Sequence, residues 1–353
     1  MNMSKLKSPL FCRFPIAGII LFLFLTNCAS PRPASSVDGN KDIHPEAAPP
    51  TRLLPPPLQA GDTVAIIAPA GYVTDKNRYI ERADSLLRAW GLVPVHGRYL
   101  FARHFQFAGT DQQRAADLQW ALDAPYVKAV WAARGGYGSV RIVDKVDWST
   151  FKRHPKWIVG FSDITVLLAK AYSEGVPSIH GIMPISLTNP DPRRHSAIVT
   201  LKNLLFGKPL KFVIPSDSLN IRGTGKGTVI GGNLSMLVSM LGSDLQPDTR
   251  GKILFLEDVG EYPYSYDRML YALARAGFFD HLAGLIVGNM HTKKGNEAFG
   301  ESVKEMILKH VRDKNYPVIF SFPAGHVIKN YAVPIGKTAK IKVGIKKTKV
   351  EFY

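Results

Sequence analysis

Trp157-Ile158-Val159-Gly160-Phe161-Ser162-Asp163-Ile164-Thr165-Val166-Leu167-Leu168 packs an apolar run, an abrupt turn and the start of a second apolar run into twelve residues. Residues 157–160 read as a buried strand and residues 164–172 as a helix, joined by the three-residue turn Phe161-Ser162-Asp163. Moving back toward the N-terminus, the same alternation recurs. Thr63 to Ala68 is a β-branched apolar strand closed by Pro69-Ala70-Gly71. Arg78 to Trp90 carries Ile80, Ala83, Leu86, Leu87 and Trp90 at helical spacing. Asp111 to Leu122 is a second helix opened by Thr110, and Ala129 to Ala133 is a second short strand, closed by Arg134-Gly135-Gly136-Tyr137-Gly138. Strands that alternate with helices predict a parallel sheet covered on both faces.

Toward the C-terminus, Asn189-Pro190-Asp191-Pro192-Arg193-Arg194 marks a change of composition. Beyond it come a helix (197–205), Gly-rich strands (222–230), a helix (233–241), a strand (252–256), a helix (265–276), a strand (284–287), a helix (303–311) and a strand-rich end from Val318. The expected architecture is α/β in two domains. An N-terminal domain over 58–190 carries the parallel sheet with flanking helices, 191–224 is a linker, and a smaller C-terminal domain over 225–353 has a mixed sheet.

The first 57 residues have a different character. Met1 to Asn27 reads as an export signal: Lys5, Lys7 and Arg13 precede the apolar run Ile16 to Leu25, which is shorter than the roughly 20 residues of a membrane-spanning helix. Leu25-Thr26-Asn27-Cys28 resembles the lipobox of bacterial lipoproteins, in which the Cys is lipidated, although Asn27 departs from the small residue usual there. The alternative is a cleaved secretory signal without lipid. The two cysteines, Cys12 and Cys28, both lie in this leader, which excludes a thiol nucleophile, a Cys-ligated metal and an internal disulfide for the folded part. Residues 28–57 are rich in Pro, Ser and Ala and read as a semi-extended tether. The net charge of +17 points to an anionic partner. With no zinc-finger spacing and no aromatic RNA-binding signature, anionic envelope material is favoured over nucleic acid. Only the stretch Lys337 to Lys349 is densely basic, and a merely solvated face accounts for it equally well.

Four segments carry candidate chemistry. Ser162, at the strand-to-helix turn, is either a helix cap or a nucleophile facing free backbone N–H groups. A full G-x-S-x-G elbow is absent, because Ile164 stands where its last Gly would be. Arg134-Gly135-Gly136-Tyr137-Gly138 is either a tight turn or a loop whose backbone approaches a ligand. It is neither G-x-G-x-x-G nor a P-loop. Glu257, Asp258 and Glu261 follow the apolar strand 253–256, at the end where open α/β sheets place their sites. His326, in Phe322-Pro323-Ala324-Gly325-His326, also follows an apolar run, with His180 and His291 as competitors. No H-E-x-x-H spacing occurs, so metal catalysis is not expected.

These pieces, together with Ala68-Pro69-Ala70-Gly71, Ala108-Gly109-Thr110, Ile179-His180-Gly181 and Gly231-Gly232-Asn233-Leu234, occur in one order from about Leu58 to the C-terminus. In that order the chain resembles the LD-carboxypeptidases, the serine peptidase group of murein tetrapeptide carboxypeptidases and microcin C immunity proteins. The resemblance implies a flavodoxin- or class I amidotransferase-like first domain. It also implies Ser162 as nucleophile, His326 as base and Glu257 as the acid that orients it, with Glu261 as its nearest rival. Backbone N–H groups of Gly136 and Asp163 would form the oxyanion hole, and Arg134, Tyr137 and Asn233 would contact substrate. The implied reaction is release of D-Ala from a peptidoglycan stem tetrapeptide, without cofactor or metal, in a cleft between the domains. The expected setting is the cell envelope, with a membrane anchor through Cys28, a muropeptide partner, no nucleic acid and a possible homodimer. Three alternatives stay open: a muropeptide-binding lipoprotein without catalysis, a microcin-type peptidyl-nucleotide hydrolase and a general esterase.

Overall fold

In the computed structural model, residues 53–74, 78–294 and 298–353 are described. The proposed signal, Cys28 and most of the tether lie outside them. The first sheet has six strands in the order β11-β5-β4-β3-β1-β2. They are β1 (Thr63–Ile67), β2 (Val93–His96), β3 (Val127–Ala132), β4 (Trp157–Gly160), β5 (Ser178–His180) and β11 (Val333–Ile335). The strands β1 to β5 are parallel, and their order 2-1-3-4-5 is that of the flavodoxin-like doubly wound sheet. Helices α1 (Tyr79–Ala89), α2 (Asp111–Asp123), α3 (Ser149–Arg153), α4 (Thr165–Ser173) and α5 (His195–Leu205) accompany it. The central strands are buried on both faces, which is why β1, β4 and β3 beyond the exposed Lys128 read as apolar runs. Thr110 and Gln113 close a reciprocal capping box at the start of α2. Both edge strands carry a proline, Pro94 in β2 and Pro334 in β11, where a missing ladder donor costs least.

The second sheet has seven strands in the order β10-β9-β8-β7-β12-β13-β6. They are β6 (Leu210–Pro215), β7 (Gly223–Asn233), β8 (Ile253–Glu261), β9 (Gly284–Thr292), β10 (Val318–Ile319), β12 (Thr338–Val343) and β13 (Lys347–Phe352), with helices α6 (Leu234–Ser239), α7 (Pro263–Arg275) and α8 (Val303–Val311). The long strand β7 divides it. Its second half pairs in parallel with β8, and its first half pairs antiparallel with β12. Strands β7 to β10 are thus a parallel group.

Two departures from the sequence expectations matter for the site. The segment 191–224, expected to be a linker around a helix at 197–205, holds that helix as α5 and also β6, an edge strand of the second sheet. Pro209 and Pro215 bracket so short an alternation that the strand is hidden in the sequence. The first sheet also takes its last strand, β11, from residues 333–335, so that β5 is not left as a bare edge. The chain therefore crosses between the two sheets more than once. At the entrance to the fold, the last residues of the expected tether are packed: Trp157 Nε1 donates to Pro56 O at 3.1 Å, and Leu58 N donates to Leu205 O at 2.8 Å.

Candidate active site

Ser162 sits at the abrupt end of β4 with φ of 64°, in the left-handed region that non-glycine residues rarely occupy. The turn is possible because Gly160 lies two residues before it. A methyl group on Gly160 would fall 2.6 Å from Ile164 Cγ2. The missing last glycine of an elbow is thus tolerated: Ile164 uses the space that Gly160 leaves open. The Arg134–Gly138 loop lies directly against this turn, since a methyl on Gly135 would be 3.2 Å from Ser162 Cβ and 3.4 Å from its Oγ. The buried Asp163 carboxylate ties the two together. It accepts from Gly138 N at 3.2 Å, Ser139 N at 2.9 Å and Ser139 Oγ at 2.6 Å. From the other side the buried Arg114 donates to Pro69 O at 2.7 Å and Gly138 O at 2.8 Å, joining the loops after β1 and β3.

Glu257, in β8, is fully buried, and His326 Nδ1 lies 2.7 Å from its Oε2. Gly325, with φ of 98°, packs on that carboxylate; a methyl there would be 2.5 Å from Glu257 Oε2. This close approach explains why a Gly precedes the His. The loop is held by Asn330, whose Oδ1 accepts from Gly325 N at 2.8 Å, and by Asn289 N donating to Ala324 O at 3.0 Å. Burial raises the Glu257 carboxyl above the ordinary glutamate range, against the opposing pull of the His326 imidazole. Behind it, Asn233 Nδ2 donates to Asp258 Oδ1 at 2.9 Å and to Glu257 Oε1 at 3.4 Å, and its Oδ1 accepts from Met236 N at 3.2 Å. The second Asp258 oxygen accepts from Ser235 N at 2.8 Å and Ser235 Oγ at 2.5 Å.

These two halves meet at one cavity of about 480 Å³. Arg134, Gly136, Phe161, Ser162 and Asp163 line it from the first sheet, and Asn233, Asp258, Glu261 and His326 from the second, with Met183, Ile185 and Met236 as apolar wall. The His326 ring stands 4.9 Å from that of Phe161, the neighbour of Ser162. Among the described contacts no hydrogen bond yet joins Ser162 Oγ to the imidazole. Hydroxyl, imidazole and buried carboxylate at one cavity form the constellation that activates a serine, and such hydrogen bonds commonly tighten only with substrate bound.

The remaining sequence candidates fall into place unevenly. The Gly136 N–H donates to no described group and borders the cavity. Arg134 lines the cavity, but its Nη1 donates to Tyr72 O at 3.0 Å, so part of the guanidinium secures the loop after β1. Asn233 also lines it, with both ends of its amide engaged in the Glu257–Asp258 framework rather than free for a ligand. Tyr137 does not line the cavity: it is exposed and its ring lies 6.0 Å from Phe107. Glu261 reaches the cavity edge, and Glu257, not Glu261, is the partner of His326. Of the competing histidines, His291 is exposed and does not line the cavity, although it pairs with Val259, which does. His180 is completely buried, its ring 4.8 Å from Phe255 and 5.6 Å from Phe161. Neither of its nitrogens has a partner in the structure, and burial pushes its imidazole down to about 3. Sequence reading missed Arg114, Ser139 and Ser235, polar residues inside helical or turn patterns that look like ordinary surface positions. Among the described residues no group of His, Cys, Asp and Glu could hold a metal ion.

Comparison with known proteins gives this constellation its setting. Residues 64–181 match the LD-carboxypeptidase N-terminal domain and residues 226–341 its C-terminal domain. The chain belongs to the LD-carboxypeptidase family. A probable murein peptide carboxypeptidase of Bacillus subtilis is 33% identical over 84% of this chain and 94% of that protein. The crystal structure of a muramoyltetrapeptide carboxypeptidase from Oxalobacter formigenes superposes with a TM-score of 0.74 at 30% identity, covering 82% of this chain and 98% of that one. The microcin C7 self-immunity protein MccF of Escherichia coli is 27% identical over 80% of this chain and 91% of its own. Membership makes this chain a member of a peptidase family, and its two-sheet α/β fold is the one those structures share.

Proposed function

We propose that the protein is a serine-type LD-carboxypeptidase that releases the terminal D-amino acid from peptidoglycan stem tetrapeptides, acting in the cell envelope from a lipid anchor at Cys28. The observation that carries this reading is the buried Glu257–His326 pair, 2.7 Å apart, facing the same cavity as a Ser162 held in the left-handed conformation. Ser162 Oγ attacks the carbonyl of the L-to-D amide while His326 Nε2 takes its proton. Glu257 holds the Nδ1–H tautomer and stabilises the imidazolium. The N–H groups of Gly136 and Asp163 receive the oxyanion, at roughly 3 kcal/mol per donor. His326 then passes its proton to the departing amine of the D-amino acid, and a water attacks the acyl-enzyme by the same route in reverse.

A second opening of about 740 Å³ also borders His326, lined by Arg193, Asn289, Lys304 and Lys329 with one carboxylate, Glu301. It gives a carboxylate-bearing stem peptide cationic room to extend beyond the reacting bond. The names of the relatives support the same substrate class.

Mass spectrometry of a purified muropeptide tetrapeptide incubated with the protein and with Ser162→Ala tests the reading. Loss of one D-Ala with the wild type alone is the expected result. Loss with both would mean another nucleophile. No loss with either, beside cleavage of a peptidyl-nucleotide, would move the protein to the activity suggested by its similarity to MccF.

A further inference from the structure

The half of the second sheet that does not build the cavity has its own character. Strands β7, β12, β13 and β6 pair antiparallel, and residues alternate between a buried and an exposed face. The exposed positions are Lys226 on β7, Lys340 and Lys342 on β12, Lys347 and Lys349 on β13, and Lys211 on β6. Registers bring like charges directly opposite one another: Lys340 faces Lys226, and Lys342 faces Lys349. Such pairs destabilise a sheet. Glu351, opposite Lys340 and Lys211, is the one acidic side chain of these strands that offsets them. Six lysines thus share one face of four strands, about 15 Å across.

Two further features qualify the partner. Val213, opposite Lys349 on the same face, is 60% exposed, and Ile345, in the turn between β12 and β13, is 72% exposed. Apolar side chains set among lysines suit a headgroup region, which has an apolar layer beneath its charge, better than a soluble polyanion. The chain also enters the fold beside this sheet. Pro57 packs on Gly207, three residues before the edge strand β6 begins at Leu210, and the 52 residues outside the described structure precede that point. Along β7, seven residues separate Lys226 from Asn233, at most about 23 Å of strand.

We infer that the outer face of β7-β12-β13-β6 is a docking surface for an anionic lipid membrane. It holds the domain flat on the bilayer as a second attachment beside the N-terminal segment. The inference is independent of the hydrolytic reading. A polybasic face adds electrostatic attraction to anionic lipids to whatever the N-terminal segment contributes. Each lysine near an anionic leaflet contributes about fivefold in partition.

The test is co-sedimentation of the full chain with phosphatidylcholine vesicles with and without phosphatidylglycerol, at low and high salt. It compares the wild type with the quadruple Lys340→Gln, Lys342→Gln, Lys347→Gln, Lys349→Gln variant. The leader is common to both proteins, so its contribution cancels. The expected result is a preference of at least about tenfold for anionic vesicles, abolished by salt and by the four substitutions. Far-UV circular dichroism and a thermal unfolding midpoint matching the wild type report that the variant is folded. Equal partition of the wild type into both vesicles, or a preference that survives the substitutions, overturns the inference. So does lysine-dependent binding to purified sacculi in place of vesicles.

Discussion

The two halves of the candidate site are held by different means. Around Ser162 the backbone does the positioning: a left-handed residue, a glycine that clears the turn and a neighbouring loop laced on by Asp163. Around His326 side chains do it: a buried carboxylate, an amide that braces it and a second carboxylate behind. The first half is mainly a matter of where the chain can turn. The second depends on each buried polar atom finding a partner. Damage to the first should therefore appear as strain or misplaced backbone, and damage to the second as shifted protonation.

The largest effect tests the first half. On the proposed mechanism, Ser162→Ala and Ser162→Gly both lower kcat by at least about 10^4-fold. Their stabilities should separate, because only glycine occupies φ of 64° without strain. Ser162→Gly is expected to be more stable than Ser162→Ala by about 1 kcal/mol, read as a difference in thermal unfolding. Equal midpoints would refute backbone strain at this turn.

Glu257→Gln is the matching change in the second half, with an expected loss of about 10^3- to 10^4-fold in kcat. The pH dependence carries the sharper information. Burial raises the Glu257 carboxyl, so the folded protein holds that proton more tightly than the unfolded chain does. Its contribution to stability is then present at low pH and lost as pH rises through the raised value, while activity, which needs the carboxylate, increases over the same interval. In Glu257→Gln both slopes from this group vanish. A wild-type kcat/KM that is flat across and above the ordinary carboxylate range would show that Glu257 does not control the base.

Gly160→Ala returns to the first half with a smaller expected effect. The added methyl meets Ile164 at 2.6 Å and should cost about 1–3 kcal/mol of stability. The double change Gly160→Ala with Ile164→Ala should recover most of it, since the clash needs both side chains. Failure of that rescue would place the need for glycine elsewhere.

The same contrast decides what could be read from the sequence. Strand β4, the turn and helix α4 were legible because an apolar strand, a small polar turn and an apolar helix differ in period and composition. The placement of Glu257 and His326 after apolar strands was legible as well, although their pairing came from the resemblance, for the two lie 69 positions apart. Strand β6 and strand β11 were not legible, being short, bounded by or containing proline, and stable only against partners distant in sequence. Asn233 illustrates a different limit. Its position by the cavity was anticipated, but not that its amide would be engaged by Glu257, Asp258 and Met236, because buried partners of one side chain are a property of the assembled fold. Tyr137 lies in the right loop but does not line the cavity, which motif membership does not reveal.

His180 gives the smallest expected effect and belongs to both halves at once. Its ring lies between Phe161, which precedes Ser162, and Phe255, two residues before Glu257. A fully buried imidazole with two unpartnered nitrogens is a costly occupant, and its depressed basicity keeps it neutral. If it serves only to fill space between the two phenylalanines, His180→Phe removes the unsatisfied nitrogens and keeps a slightly larger aromatic ring in their place. Stability should then stay the same or rise by about 1–2 kcal/mol, with kcat within a few-fold of the wild type. If a nitrogen is satisfied by a buried water that helps set the two halves in register, the same substitution lowers kcat while the protein stays as stable. His180→Ala separates shape from polarity. It opens a void between Phe161 and Phe255 and should destabilise by about 2–4 kcal/mol whichever role the imidazole plays. Thermal unfolding and kcat measured together on the two variants therefore assign His180 either to packing or to the alignment of Ser162 with His326.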